Sequence, residues 1–328
     1  MDDALLEVRD LKTWFYTDDG VVRGCDGVSW RVREGETLAV VGESGAGKSV
    51  AAMSILNLIP FPPGKIVGGE ILFEKQNLVG ISPKRMNAIR GNKIAMIFQE
   101  PMTSLNPVKK VGWQIRESIL LHRICGKREA LERSVELLDM VGIPDADKRV
   151  DDYPHQMSGG MRQRVMIAIA LACNPKLLIA DEPTSALDVS IQLQILELCK
   201  KLQRRLGMAM ILITHDMSVV AEVADSVAVM YAGKIVEYGP AERIFYESAH
   251  PYLNGLKKCI PRLDAEQKEL FVIDGIVPDP LNLPQGCKFE PRCPQSMPLC
   301  REAEPPRQIL EGEHYVCCWL FGGRKSYA

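Results

Sequence analysis

The stretch ETLAVVGESGAGKSVAAMSILNLI, from Glu36 to Ile59, decides the fold. Its apolar run from Leu38 to Val41 is typical of a buried parallel strand, and G-x-x-x-x-G-K-S and a helical pattern follow it. Strand, glycine-rich loop and helix stand in the order that a phosphate-binding loop requires. Because its four fixed positions coincide by chance in only about one chain in a hundred, the motif predicts nucleotide binding.

Each part of this loop has a predicted task. The glycines let the backbone turn so that its N–H groups point at a phosphate chain, in front of the positive end of the helix dipole. Lys48 is predicted to reach the β- and γ-phosphates, and the Ser49 hydroxyl to ligate Mg²⁺. The predicted nucleotide-binding residues here are Gly42, Glu43, Ser44, Gly45, Ala46, Gly47, Lys48, Ser49 and Val50.

A second apolar strand, KLLIADEP, ends in Asp181 and Glu182. An acidic residue at the carboxyl end of a strand beside a phosphate loop can hold Mg²⁺ through water, and a second carboxylate can polarise an attacking water. We therefore predict that Asp181 binds Mg²⁺ and that Glu182 is the general base. Alone, such a pair is more often a solvated strand end, but the phosphate loop favours the catalytic interpretation.

A further glycine-rich segment, MSGGMRQRVMIAIALACNP, predicts an amphipathic helix that opens at Ser158, Gly159 and Gly160. The apolar positions taken to define its buried face are Val165, Ile169 and Ala172. The backbone donors at the helix start would form a second anion site. A single nucleotide seldom needs two such helix starts from one subunit, so we expect a head-to-tail dimer that supplies them in trans.

Composition narrows the classes of partner. The 328 residues are 46% hydrophobic and 25% charged, with a net charge of -2. This balance is ordinary for a globular protein and gives no basic excess for nucleic acid, so we expect no nucleic-acid partner. The start MDDALLEVRD lacks the features of a secretory signal, and no run of about 18 apolar residues occurs. We expect the chain to be made and kept in the cytosol.

Ten cysteines divide into two groups. Those that stand singly are predicted to be packing residues: Cys25, Cys125, Cys173, Cys199 and Cys259. The other five are Cys287, Cys293, Cys300 and the adjacent pair Cys317 and Cys318, and they follow C-x5-C-x6-C-x17-C if Cys318 is the fourth member. Four thiolates could hold zinc or a [4Fe-4S] cluster, although the spacing fits neither a zinc ribbon nor the bacterial ferredoxin pattern. Spacing alone leaves a metal site, buried thiols and disulfides open.

Together, GESGAGKS, Gln99 in MIFQEP, MSGGMRQR, LLIADEP, SALD and ITHD resemble the nucleotide-binding subunit of an ABC transporter. Met157 and Met161 depart from the usual leucine and glutamine of the signature, and methionine at the second place is frequent in the peptide-importer branch. The resemblance implies an α/β fold: a P-loop NTPase (RecA-like) ABC ATPase core with antiparallel β and α-helical subdomains. We expect this core at 1–245, its helical subdomain at about 100–160, and a small Cys-rich C-terminal domain at 246–328.

The resemblance also implies roles for single residues. Gln99 would sense the γ-phosphate, assist at Mg²⁺ and couple the core to the helical subdomain that grips the membrane partner. His215 would contact the γ-phosphate and the general base, and Asp188 would bridge to the opposite subunit. Phe15 matches the aromatic residue that stacks on adenine, with Tyr16 as the nearby alternative.

AHPY, GCKFEPRCP, the third cysteine and the final H-x-x-x-C resemble the C-terminal region of dipeptide and oligopeptide importer ATPases. Some of these carry a [4Fe-4S] cluster there, so the resemblance implies an Fe-S cluster on the four cysteines, with zinc as the alternative. The interval from His314 favours Cys318 over Cys317 as the last ligand.

The implied function is an ATPase subunit that powers import of di- or oligopeptides. Its implied partners are a second, non-identical ATPase subunit, two integral membrane permease subunits and an extracytoplasmic peptide-binding protein. It would lie peripherally on the cytoplasmic face of the inner membrane. Import of nickel or another small solute is an alternative. A soluble ABC ATPase acting on DNA or the ribosome is disfavoured, because one copy of each motif occurs and only about 110 residues separate the phosphate loop from the signature.

Overall fold

The computed structural model describes residues 4–99, 104–184, 188–259 and 272–322. The chain divides into two compact units. The first unit comprises 1–32, 37–79 and 214–328, and it contains the phosphate loop and the C-terminal region. The second unit comprises 33–36 and 80–213, and it contains Gln99, the signature segment and the strand that ends in Asp181.

The strands of the described residues are numbered in chain order. They are β1 Ala4–Thr17, β2 Gly20–Arg33, β3 Thr37–Val41, β4 Gly64–Phe73, β5 Gln76–Asn77, β6 Ile94–Ile97, β7 Leu177–Asp181, β8 Ala209–Thr214, β9 Ser226–Tyr231, β10 Lys234–Pro240, β11 Arg307–Glu311 and β12 His314–Cys317.

The α-helices are numbered in the same way. They are α1 Lys48–Ile55, α2 Pro83–Ile89, α3 Val111–Leu121, α4 Lys127–Met140, α5 Ala146–Arg149, α6 Gly159–Leu171, α7 Val189–Leu206, α8 Met217–Val223, α9 Ala241–Tyr246, α10 Pro251–Lys258 and α11 Pro298–Glu302. Short 3-10 turns occupy Pro154–Gln156, Glu290–Arg292 and Trp319–Phe321.

Two groups of strands build the first unit. One is a sheet in the order β2-β1-β4-β5, in which β4 runs antiparallel to both β1 and β5. In the other, β3 pairs in parallel with β9, and β9, β10, β12 and β11 then pair antiparallel. All five residues of β3 are buried, as expected of a strand covered on both faces. The phosphate loop therefore leaves a rigid strand at Val41.

The second unit contains the parallel strands β6, β7 and β8 and the helices α3 to α7. Its core is aliphatic and includes Ile97, Ile115, Leu138, Ile167 and Ile195, all nearly inaccessible to solvent. Because β6 and β7 are parallel, their carboxyl ends lie at the same edge. Gln99 and Asp181 are therefore brought towards one edge of these strands.

The strand and loop predictions are largely confirmed, and one helix prediction needs correction. The predicted strands, Leu38 to Val41 and KLLIADEP, correspond to β3 and β7, and the predicted phosphate loop leads from β3 to α1. The segment after Ser158 does form helix α6, but it is not amphipathic. From Val165 to Leu171 it is buried on almost every side, because helices of the second unit pack around it.

The cysteines that stand singly in the sequence do not all agree with the packing prediction. Cys25, Cys173 and Cys199 are buried and Cys125 packs partly against the core of the second unit, as predicted. The packing prediction for Cys259 is wrong, because it is exposed at the C-cap of α10, beyond the apolar face of that helix.

The C-terminal region joins the first unit through β12, which pairs with β10 with Tyr315 opposite Tyr238. In the described part of 246–328, the structure does not show a separate Cys-rich domain. Among the helices within the described ranges, none combines the length and the hydropathy needed to cross a bilayer.

Candidate nucleotide-binding site

The phosphate loop links β3 to α1 through glycines in conformations that other residues rarely adopt. Gly42 has φ +155° and Gly47 has φ +97°. A Cβ at Gly42 would lie 2.2 Å from the carbonyl oxygen of Met230, and one at Gly47 would lie 2.1 Å from that of Gly24. Both positions therefore require glycine for conformation and for space. The loop backbone therefore packs closely against the backbone at Met230 and Gly24.

Lys48 begins helix α1, and its ammonium group turns back over the loop. The side chain is buried, and Nζ donates to the carbonyl oxygens of Gly42 at 2.8 Å and Glu43 at 3.0 Å. A cation is thus fixed at a helix N-terminus behind a glycine-rich turn, which is an arrangement suited to a phosphate chain. This donor fits a nucleoside triphosphate, and Ser49, the next residue, carries a hydroxyl that could ligate Mg²⁺.

Glu43 is held from the C-terminal region. Its N–H donates to the Tyr252 hydroxyl at 2.9 Å, and its carboxylate accepts from Arg292 Nη1 at 2.7 Å and Nη2 at 3.2 Å. Sequence analysis missed both partners. They lie 209 and 249 residues from Glu43, inside the AHPY and EPRC segments, and no local pattern connects either one to the loop.

The predicted adenine-stacking residues lie at the end of β1. Phe15 is partly buried, and its ring fits against two glycines: a Cβ at Gly24 or Gly64 would approach it to 2.9 or 2.7 Å. Tyr16 is 51% exposed. His215 is exposed and directly follows β8, and Asp216 after it caps α8 by accepting from Ser218 N at 2.8 Å.

In the second unit, the structure brings together two predicted catalytic residues. Gln99 Nε2 donates to Glu182 Oε2 at 3.1 Å, and Glu182 N–H donates to the carbonyl of Ile213 at 3.0 Å. Asp181 is buried at the end of β7. Glu182 has φ +44°, an unfavourable conformation for a residue with a side chain, and such strain is concentrated at functional sites. The Gln99 amide therefore orients the Glu182 carboxylate.

The signature segment lies at the N-terminus of α6, also in the second unit. Ser158 Oγ accepts from Met161 N at 3.3 Å and caps the helix, and a Cβ at Gly160 would approach Ile191 of α7 to 3.1 Å. Asp188 caps α7 by accepting from Ile191 N at 3.1 Å. The rest of SALD, 185–187, and the end of MIFQEP, at 100 and 101, lie outside the described residues, as do 102 and 103 of the predicted helical subdomain.

The cysteine cluster differs from the prediction. The N–H of Cys287 donates to the carbonyl of Cys300 at 2.8 Å, and both Cys287 and Cys293 pack against the hydrophobic core of the first unit. Burial raises the pKa of the Cys287 thiol to about 11 and also raises the pKa values of Cys293 and Cys318. Cys287 and Cys293 therefore contribute to packing in the first unit.

The described residues do not support the predicted Fe-S cluster. Across the described ranges, no three His, Cys, Asp or Glu side chains are arranged to hold a metal ion. A [4Fe-4S] cluster or zinc on Cys287, Cys293, Cys300 and Cys318 is therefore not supported by the structure and stays a prediction. All ten cysteines are free thiols, so the structure does not support the disulfide alternative either.

The AHPY segment is part of a buried polar network. Glu237 is fully buried, and its carboxylate accepts from the N–H groups of Ala249 and His250 at 3.0 and 2.7 Å and contacts His314 Nε2 at 2.9 Å. His250 Nδ1 accepts from Tyr252 N at 3.1 Å and caps α10. Buried polar groups need such partners, so this network joins β10, α10 and β12.

Comparison with known proteins agrees with this geometry. The family model for ABC transporters matches residues 25–185, and the model described as "Oligopeptide/dipeptide transporter, C-terminal region" matches residues 236–300. Among solved structures, the dimeric ATP-binding cassette MJ0796 bound to ADP and Pi superposes with a TM-score of 0.64 and 26% identity. The match covers 72% of this chain and 98% of that one.

Curated relatives match over nearly the whole chain. The oligopeptide transport ATP-binding protein OppD of Bacillus subtilis is 54% identical, covering 96% of this chain and 88% of the relative. The dipeptide transport ATP-binding protein DppD of the same organism is 50% identical, covering 99% and 97%. OppD of Escherichia coli is 49% identical, covering 96% and 93%. The chain therefore belongs to the ABC transporter ATPases, in the family of oligopeptide and dipeptide transport ATP-binding proteins.

Proposed function

We propose that this chain powers the import of di- and oligopeptides, by closing head to tail with a second ATPase subunit around ATP. The observation that carries the proposal is the presence of two glycine-flanked helix starts in one chain, at α1 and α6. Each is suited to an anion, and one nucleotide would use one from each of two subunits. The peptide substrate is supported by the relatives, which are named for oligopeptide or dipeptide transport.

In the proposed site, the loop residues Gly42 to Val50 hold the phosphates. Lys48 neutralises the β- and γ-phosphates, and Ser49, Gln99 and Asp181 are the candidate ligands of Mg²⁺. When bound, Mg²⁺ would neutralise charge on the phosphate oxygens.

We assign the role of general base to Glu182. It takes a proton from the attacking water, and the amide of Gln99, 3.1 Å away, orients its carboxylate. His215 contacts the γ-phosphate and the base. Phe15, or Tyr16 in its place, stacks on the adenine.

The partner subunit's nucleotide is the proposed ligand of Ser158, Gly159 and Gly160, and Asp188 bridges the two subunits. ATP carries several negative charges and cannot be enclosed without matched donors, so closure depends on bound ATP. Hydrolysis removes the γ-phosphate contacts, and the dimer reopens as a two-state switch.

The closing and reopening of the proposed dimer must be transmitted to a membrane partner. We assign this role to the helical subdomain, at about 100–160 of the 1–245 core, with 246–328 as the C-terminal region. A cavity of about 500 Å³ between α3 and α4 is lined by Trp113, Leu120 and Leu121, with Arg116 and Lys127 at its edge. Leu121 is 74% exposed and Trp113 is 38% exposed. Such an apolar surface suits one of two permease subunits.

The assembly proposed from the relatives also contains a paralogous ATPase and an extracytoplasmic peptide-binding protein. This chain would lie peripherally on the cytoplasmic face of the inner membrane. Proteoliposomes with the permease subunits, the partner ATPase and the binding protein should accumulate a labelled short peptide only with ATP. ATP hydrolysis without peptide uptake would contradict the assigned substrate.

Glu182→Gln tests the mechanism. ATP binding should persist and turnover should fall by about 100-fold or more, because the carboxylate that accepts the proton is lost. The closed dimer should then accumulate with ATP, as measured by size-exclusion chromatography with light scattering. Glu129→Gln, an exposed glutamate in the first turn of α4, is the matched control and should retain turnover. Normal turnover in Glu182→Gln would remove Glu182 as the base.

A further inference from the structure

The C-terminal region contacts the phosphate loop at Glu43. We propose that Arg292 is a positioning residue for ATP binding: it fixes the orientation of Glu43 and cancels its charge beside the triphosphate, so that the C-terminal region sets the affinity for ATP. The inference rests on ATP binding by the phosphate loop in the proposed function.

Three different groups of Glu43 are held at once. Its N–H donates to the Tyr252 hydroxyl, its carboxylate accepts two hydrogen bonds from Arg292, and its carbonyl oxygen accepts from Lys48 Nζ at 3.0 Å. The first two partners belong to the C-terminal region, and the third is the predicted phosphate-binding lysine. A displacement of Arg292 would therefore reach Lys48 through a single residue.

Arg292 is itself held rigidly. Its side chain is only 5% exposed. Nε donates to the carbonyl of Asp274 at 3.0 Å, Nη2 to that of Ile273 at 3.2 Å, and Nη1 to the Tyr231 hydroxyl at 3.4 Å. A bidentate guanidinium–carboxylate pair has a fixed geometry, and this guanidinium has no room to rotate. Arg292 can therefore dictate where the carboxylate of Glu43 lies.

An aromatic cluster that includes Tyr231 packs beside the Arg292–Glu43 pair. Tyr231, at the end of β9, packs its ring 4.8 Å from Tyr252 and 5.2 Å from Phe289, measured between ring centroids. Phe289 lies three residues before Arg292, and Tyr252 is the residue that accepts from Glu43 N–H. The parts of the C-terminal region that contact Glu43 are thus packed together through Tyr231.

The negative charge of Glu43 gives a second reason for its pairing with Arg292. A carboxylate in a phosphate loop repels the phosphates that the loop must bind, and the repulsion is strong where water is partly excluded. The Glu43 side chain is 26% exposed, and the Arg292 guanidinium lies against it at 2.7 Å. Without Arg292, the loop would present an uncompensated negative charge to ATP.

The test measures the affinity of the full chain for Mg²⁺-ATP by equilibrium titration, together with the melting temperature of each variant. Arg292→Met should weaken ATP binding by about 5- to 10-fold, because charge-assisted hydrogen bonds to the loop are lost. Adding Glu43→Gln to Arg292→Met should restore most of that loss, since the neutral amide no longer repels the phosphates. A role in stability alone predicts no such recovery.

Two further variants complete the design. Arg292→Lys keeps the charge without the two-armed contact, and it should fall between wild type and Arg292→Met. Arg301→Met removes an exposed arginine of the same region, which pairs with Glu290, and it should leave ATP affinity unchanged. If Arg292→Met does not fold, Arg292→Gln, which is also neutral, decides in the same way with and without Glu43→Gln.

Wild-type affinity in folded Arg292→Met would overturn the whole proposal, and no recovery on adding Glu43→Gln would overturn its charge-cancelling part. Failure of the wild-type chain to bind Mg²⁺-ATP at all would instead overturn the proposed function. The two failures are therefore distinguishable in one experiment.

Discussion

The phosphate loop and the C-terminal region use polar groups in opposite ways. In the loop, eight consecutive residues from Gly42 to Ser49 turn their backbone around the Lys48 ammonium. In the C-terminal region, the buried polar groups of Glu237, His250 and His314 come from distant segments, and their contacts join those segments. The loop offers its groups to a ligand, whereas the network uses its groups within the protein.

This difference separates binding from stability. A change in the loop should reduce nucleotide binding with little effect on folding, because the loop is stabilised mainly by its strand and helix. A change in the network should reduce stability with little effect on binding, because buried partners are left unsatisfied. The contact of Arg292 with Glu43 is the place where the two regions meet.

The largest expected effect is that of Lys48→Ala. Removing the ammonium that lies over the loop should weaken Mg²⁺-ATP binding by about 100-fold or more, because a buried charge opposite the phosphates is lost. The free energy of unfolding without nucleotide should change little, by about 1 kcal/mol or less. Titration with ATP and urea denaturation measure the two quantities.

Lys65→Ala is the matched control, since Lys65 is exposed on β4 of the same unit. It should leave both quantities unchanged. Unchanged affinity in Lys48→Ala would count against the phosphate-loop assignment, and a large loss of stability would remove the contrast between loop and network.

The same contrast explains how much the sequence predicts. The phosphate loop, β7 with Asp181 and the start of α6 are local patterns, so spacing along the chain was enough to find them. The contact between Gln99 and Glu182 was not predicted as such, but it follows from two parallel strands ending at one edge.

Features that depend on long-range packing were missed or misjudged. The Arg292–Glu43 pair joins residues 249 apart in sequence, which no periodicity can reveal. The spacing of the four C-terminal cysteines leaves several arrangements open, because it does not show how Cys287 and Cys293 pack against the hydrophobic core of the first unit. Helix α6 was predicted to be amphipathic because its sequence does not show that other helices cover its remaining sides.

A smaller effect is expected from the network, and it depends on pH. Burial lowers the pKa of His250 to about 3 in the folded state, against about 6.5 for an unperturbed histidine. As pH falls below about 6.5, the unfolded chain binds a proton that the folded chain does not, so stability is lost as the solution becomes more acidic. From pH 7 to pH 5, this residue should remove about 2 kcal/mol from the free energy of unfolding.

His250→Asn tests this expectation, because asparagine can still cap α10 but does not titrate. Between pH 7 and pH 5, the variant should lose about 2 kcal/mol less than the wild type, as measured by urea denaturation. ATP affinity at pH 7 should be retained. His155→Asn changes an exposed histidine and should follow the wild type at both pH values. Equal acid sensitivity of His250→Asn and wild type would show that His250 is not a buried neutral group.

The smallest expected effect concerns the last two cysteines. Cys318 is buried, whereas Cys317 lines a cavity with Lys234 and Glu304. If both thiols act by packing, Cys317→Ser and Cys318→Ser should each cost about 1 kcal/mol or less of stability. Neither substitution should change the metal content of anaerobically purified protein. Stoichiometric iron and sulfide, lost in Cys318→Ser and kept in Cys317→Ser, would instead restore the Fe-S cluster and make the C-terminal region a ligand site like the loop.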